Sequence, residues 1–114
     1  MPMPPIQKQL LEQRLTAFCE RRIPPHVRDQ IRLFYRFRAD TATLFESRPY
    51  WKNPNHWIDM PIAQIRYDRQ KGHFSLYCAD CNDKWHRYDP FESTTDIDAI
   101  LQEIDEDPTG IFWG

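Results

Sequence analysis

The sequence predicts an α+β fold, an antiparallel meander of about five strands with one helix at each end. Helical periodicity of apolar residues is confined to the two ends of the chain, and between them the period falls to two. The segments of period two follow one another through short connections, which favours antiparallel neighbours over crossovers.

A chain of 114 residues is one domain's length, expected to span 1–114. Residues 1–5 are a proline-rich lead expected to fray. Over 6–22 Leu11, Leu15 and Phe18 mark one face of a helix, widened by Leu10 and Cys19, and Arg21 and Arg22 suit its C-terminal dipole. Pro24 and Pro25 stop it, and Pro25 can open one more short turn.

The expected sheet spans 31–89. Ile31, Leu33, Tyr35 and Phe37 share one face of the first strand, and Arg32, Phe34, Arg36 and Arg38 share the other. Ala39-Asp40 is a turn, residues 41–48 the return strand, and PYWKNPNH at 49–56 reads as a loop. Strand character returns at 57–68, where Pro61 marks an edge position or a bulge. A last hairpin runs through 73–80 and 84–88. Thr95, with Asp98 three residues on, resembles a capping box for an acidic helix over 95–106. Its stripe is Ile97, Ile100, Leu101 and Ile104, and 107–114 is an apolar tail.

Charge is unevenly distributed. All 15 Lys and Arg lie at or before Arg87, whereas Asp89, Glu92, Asp96, Asp98, Glu103, Asp105, Glu106 and Asp107 follow it. The acidic helix is expected to dock on the basic body, with Arg32, Arg36, Arg38, Arg66 and Arg87 as its cations. No run is long and apolar enough to cross a bilayer, and no secretory signal pattern opens the chain, so the expectation is a cytoplasmic protein without a membrane partner. Cys19, Cys78 and Cys81 are an odd number and do not read as a disulfide framework.

The chemically dense stretch is YCADCNDKWHRYD, 77–89. Cys78, Cys81 and His86 are the weak metal candidates, and a fourth ligand would have to come from Asp80, Asp83, His73 or distant Cys19. The favoured reading is a turn at Asp80-Cys81-Asn82-Asp83, a buried Cys78 with Trp85 packed across from it, no cofactor, and folding without zinc. No phosphate loop or hydrolase motif occurs, so a binding role is expected rather than an enzyme. The candidate binding residues are Arg32, Arg36, Arg38, Trp51, Trp57 and His86. The leading reading is a small cytosolic binding or protein-interaction module of unknown partner, with pairing to a second copy through exposed aromatics as one option. The alternative is a nucleic-acid-associated protein with a basic face interleaved with aromatics, and a third reading is a metal-binding or hydrolytic site at the 77–89 hairpin. An apolar exposed patch would favour the first and a continuous basic one the second.

The runs IRLFYRFRADTATLFESRPYW, MPIAQIRYD, LYCADCNDKWHRYD and DEDPTGIFWG resemble a small bacterial family known as domain of unknown function 3024. The resemblance runs from about residue 23 to the end of the chain. It implies a cytosolic bacterial protein and assigns no activity and no catalytic residue.

Overall fold

The structure, a computed structural model, describes residues 3–82 and 84–113. Helix α1 (Pro5–Arg22) leads, followed by one 3₁₀ turn at Pro25–Val27. The strands are β1 (Arg32–Arg38), β2 (Thr41–Tyr50), β3 (Asn53–Asp68), β4 (His73–Ala79) and β5 (Trp85–Arg87), and helix α2 (Ile97–Glu106) closes the chain. The sheet order is β1-β2-β3-β4-β5 with every pair antiparallel, so the fold is the expected α+β meander flanked by two helices.

The pairing register sorts the side chains into two faces. Rows such as Phe37–Ala42–Ile65–Leu76 and Tyr35–Leu44–Ala63–Cys78 face the helices. Against them α1 packs Leu11, Leu15 and Phe18, and α2 packs Ile97, Ile100, Leu101 and Ile104; all are buried. Met3 is buried in the same core, so the lead expected to fray is anchored there; residues 1 and 2 lie outside the described residues.

β3 is held on course by a bulge. Leu44 pairs with Ala63 but Phe45 pairs with Pro61, so Ile62 is the extra residue. Ile62 and Ala63 both turn to the core. Pro61 has no N–H to give a ladder, which explains why the irregularity falls beside it.

The loop expected at 49–56 is instead the end of a long arm. β2 runs on through Tyr50 and β3 starts at Asn53, leaving Trp51 and Lys52 as the turn. β1 accompanies β2 only to Ser47, and β4 accompanies β3 only to Ala63. Pro49 and Pro54 are therefore tolerated, because beyond these limits the arm has no outer neighbours whose ladder they would interrupt. The register slips from Pro49↔Trp57 to Tyr50↔Asn53, which takes up the residues around Pro54.

α2 is capped by Asp96, not Thr95: the Asp96 carboxylate accepts from the Ala99 N–H at 3.2 Å, and the Thr94 hydroxyl accepts from the Asp96 N–H at 3.0 Å. At the other end Asp107 takes a left-handed conformation, φ 45°. Its carboxylate accepts from the backbone N–H groups of Phe112 (3.1 Å) and Trp113 (2.9 Å), folding the apolar tail back on the helix. Asp107→Ala removes both acceptors and puts a β-carbon without local hydrogen bonding at positive φ. A urea melt should register a loss of about 2 kcal/mol, with Asp107→Asn, which keeps one acceptor and tolerates the positive φ, costing less. A melt for Asp107→Ala indistinguishable from that of the unaltered chain would mean that the tail is held by Phe112 and Trp113 packing alone.

The acidic helix is docked, and its cations are not those expected. Arg14 lies 3.4 Å from Asp98, and the Arg22 guanidinium pairs with Asp105 while stacking 3.8 Å over the Trp113 ring. Arg32, Arg36, Arg38, Arg66 and Arg87 are on the far face of the sheet, because each alternates out of phase with the core residues of its strand. The burial of Tyr88 raises its hydroxyl above the usual tyrosine range, and that hydroxyl donates to Glu103 at 2.7 Å.

Candidate functional site

With both helices on one face, the other face of the sheet stands open, and the register says what it carries. One row crosses all the strands: Arg36, Thr43, Gln64, Tyr77, Arg87. On one side of it runs Arg38–Thr41–Arg66–Ser75, and on the other Phe34–Phe45–Pro61, then Arg32–Ser47–Asp59. The sheet face is therefore built of arginines, aromatics and small hydroxyls.

These side chains are held by one another. Phe34 and Phe45 stack at 5.2 Å between ring centroids, with planes 15° apart. The Arg36 guanidinium sits 5.2 Å and 5.4 Å from the two ring centres. Arg32 lies 3.9 Å over Trp57, and Arg66 lies 3.8 Å over Tyr77. Arg66 Nε donates to Gln64 at 2.7 Å, and Gln64 in turn donates to Thr43 at 3.0 Å. Such stacking fixes a guanidinium by its flat face and does not itself use the N–H groups, of which Arg66 gives only its Nε–H to Gln64. Acids are few. Asp59 accepts from Ser47 at 2.8 Å and comes only within 3.9 Å of Arg36.

The arrangement separates charge across the molecule. α2 carries its acids on the helical side, where Arg14 and Arg22 of α1 meet two of them. The opposite face keeps Arg32, Arg36, Arg38, Arg66 and Arg87. A chain that is nearly neutral overall thus presents one basic face, and it is the local field that an approaching anion meets.

Of the residues singled out in the sequence, Arg32, Arg36, Arg38 and Trp57 come together on this face. Trp51 does not: it is at the tip of the β2–β3 arm, 80 % exposed. His86 does not either. It pairs with Cys78 on the helical side of β5, where its Nε2 meets Asp80 Oδ2 at 2.6 Å. Sequence reasoning missed Phe45, Arg66, Tyr77 and Arg87 as members of the same surface. The period-two placement of Arg66 and Tyr77 in their strands was a signal, but joining them needs the register.

In the 77–89 hairpin the turn falls at Cys81 and Asn82. Asp80 organises the turn, accepting from the N–H groups of Asn82 (2.8 Å) and Lys84 (3.0 Å). The His86 hydrogen bond, then the Lys84 N–H, hold its carboxyl below the ordinary aspartate value. Cys78 is buried with its thiol toward the His86 carbonyl at 3.7 Å, whereas Cys81 is exposed. Trp85 pairs with Ala79 and belongs to the open face, not across from Cys78, since residues 85 and 86 point to opposite sides. Asp83 lies outside the described residues. Among the described residues no three His, Cys, Asp or Glu side chains converge as a metal site.

Burial, and secondarily the Glu20 carboxylate, push the half-buried Cys19 thiol up to about 11, and burial likewise raises Cys78. Thiolate, not thiol, is the attacking species. In native protein near pH 8, Cys81 should react with a disulfide reagent at least about tenfold faster than Cys19 or Cys78. Rapid labelling of Cys19 would show that α1 does not stay seated on the sheet.

Fold and site together define a class: a small α+β module with a covered core face and an open arginine–aromatic face. The family model for a domain of unknown function, DUF3024, matches residues 3–114, and the chain belongs to that family. No curated protein and no solved structure matches the chain. No helix among the described residues is long and apolar enough to cross a membrane.

Proposed function

We propose that this protein is a cytoplasmic binding module that takes single-stranded nucleic acid across the open face of its sheet. The observation that carries the reading is the stacked set Arg32–Trp57, Arg36–Phe34–Phe45 and Arg66–Tyr77 on one exposed, acid-poor surface. Single strands need two things of a protein: cations that follow the phosphates and flat groups on which bases stack. Both are present, alternating at strand spacing. A duplex has its bases stacked inside and would use only the charges, so the aromatics favour the single strand.

Fluorescence anisotropy with a labelled single-stranded oligonucleotide of about 12 nucleotides tests this directly. The expected result is saturable binding that weakens steeply between about 50 and 200 mM salt, with duplex of the same sequence bound more weakly. Absence of binding at the lower salt would end the reading.

A second reading has its own support. The β2–β3 arm exposes Trp51, Ile58 (41 %) and Met60 (55 %), and Met60 borders a cleft of about 660 Å³ that Ile62, Phe112 and Trp113 also line. These apolar groups suit pairing with a second copy of the chain, and the outer side of the arm has no strand beside it. Light scattering across a concentration series decides it: a monomer at all concentrations removes the reading. The two proposals use different surfaces and stand or fall separately.

A further inference from the structure

Where β3, β4 and the segment after β5 meet, the open face deepens into a cleft of about 290 Å³. Its chemistry differs from the stacking rows. Arg66 lies over the Tyr77 ring, Arg87 stands beside Tyr77 in the register, and Lys71 enters from the β3–β4 turn. Ser75 and Ser93 supply hydroxyls. Ser93 arrives because the chain doubles back along β4: Phe74 and Thr94 exchange both backbone hydrogen bonds, at 2.7 and 2.9 Å. Two acidic residues, Asp40 and Asp68, also line the cleft. The Asp68 carboxylate is engaged within its own turn, where it accepts from the N–H groups of Gln70 (2.9 Å) and Lys71 (3.3 Å). Among the described residues Arg66, Lys71 and Arg87 form no ion pair.

We propose that this cleft takes a terminal phosphate monoester, so that a strand lying on the open face is recognised by its phosphorylated end; the inference rests on the single-strand reading above. An internal phosphodiester carries one charge and would need only one of these cations. A monoester carries a charge of about −1.5 to −2 and three acceptor oxygens, which matches several converging cations and hydroxyls. Position points the same way. Asp40 lies beside β3, where its carbonyl accepts from the Tyr67 N–H, and Ser93 lies beside β4 next to the Phe74–Thr94 pair, so the cleft sits at the end of the open face near the β3–β4 turn. Tyr77 offers a ring at the mouth for the last base, with its phosphate beyond. Single strands are otherwise bound with little regard to their ends, and this cleft adds a preference that the stacking rows lack.

The test compares oligonucleotides of one sequence bearing a 5′-phosphate, a 3′-phosphate or neither, by anisotropy with the intact chain. One phosphorylated end should bind at least about tenfold tighter than the unmodified strand, since charge-assisted hydrogen bonds of this kind are the strong ones. Lys71→Ala with Ser93→Ala should abolish that gain and leave the unmodified strand bound as before. Equal affinity for all three strands overturns the inference and leaves the open-face reading standing. A gain that survives the double change places the end elsewhere and also overturns it. If no strand binds, the open-face reading fails first. Inorganic phosphate followed by amide chemical shifts then judges the cleft alone. Saturable shifts at Lys71, Ser75 and Ser93 sustain a phosphate site, and their absence removes it.

Discussion

Ile100→Asp should leave the chain largely unfolded, whereas Glu106→Lys should barely register. Ile100 is fully buried in the α2 stripe and shares one core with Leu11, Leu15 and Phe18 of α1 and with Leu44 and Ala63 of the sheet. Replacing it removes a branched apolar side chain and puts a carboxylate where nothing can hydrate or pair it. The cost is about 4 kcal/mol or more, a large part of what stabilises a domain of this size. Glu106 is exposed, and its partner is Gln102 on the same helix at 3.0 Å. Its reversal to Lys even suits the helix C-terminus, so the change should stay within about 0.5 kcal/mol. Denaturant melts of both variants settle the matter. Equal effects, or a native-like melt for Ile100→Asp, would mean that α2 does not carry the core.

That contrast also explains how so acidic a helix is tolerated. Negative charge at a helix C-terminus opposes the dipole. Each of the four acids there has a different partner: Glu103 accepts from Tyr88, Asp105 pairs with Arg22, Glu106 accepts from Gln102, and Asp107 turns its oxygens onto the tail's N–H groups. The sequence announced the need for compensation but not its source. Arg32 and Arg36 are as close in the chain to α2 as many other cations, and only the alternation of β1 excludes them. Arg14 and Arg22 qualify because α1 and α2 share one side of the sheet.

The meander was legible because its physical causes are local. Period two in 31–38, the Ala39-Asp40 turn and the apolar stripes at both ends are each visible within a few residues. The arm was missed for an equally local reason: Pro49, Asn53, Pro54 and Asn55 are turn formers, and only the absence of flanking strands makes prolines acceptable there. The open face could be read only in part. Alternation from Trp57 to Arg66 puts them on opposite faces, since they are an odd number of residues apart. The bulge at Ile62 restores them to the same face. One inserted residue inverts every downstream side chain, so no count along β3 finds the site unless the bulge is placed first.

If the open face binds a single strand, charge reversal there must weaken binding far more than the same reversal elsewhere. Arg36→Glu with Arg66→Glu removes two cations that stand over aromatic rings on the sheet. Arg14→Glu with Arg21→Glu changes net charge by the same amount but lies on α1, behind the core. General attraction between a more negative protein and nucleic acid would treat the pairs alike. A site on the sheet would not. Each phosphate deprived of its cation should flatten the logarithmic salt dependence by about 0.7 for a single strand, so the sheet pair should lower the slope by about 1.4. Affinity near physiological salt should fall at least about a hundredfold, because a repelling carboxylate replaces each of the two cations. The α1 pair should change affinity less than about threefold and leave the slope alone. Phe45→Ala supplies the uncharged counterpart. It removes one ring of the Phe34–Phe45 stack, costs about 1–3 kcal/mol of binding if a base rests there, and leaves the salt slope unchanged. Far-ultraviolet circular dichroism on every variant confirms that the sheet is intact. Equal weakening by the two charge pairs would remove the open face as the site.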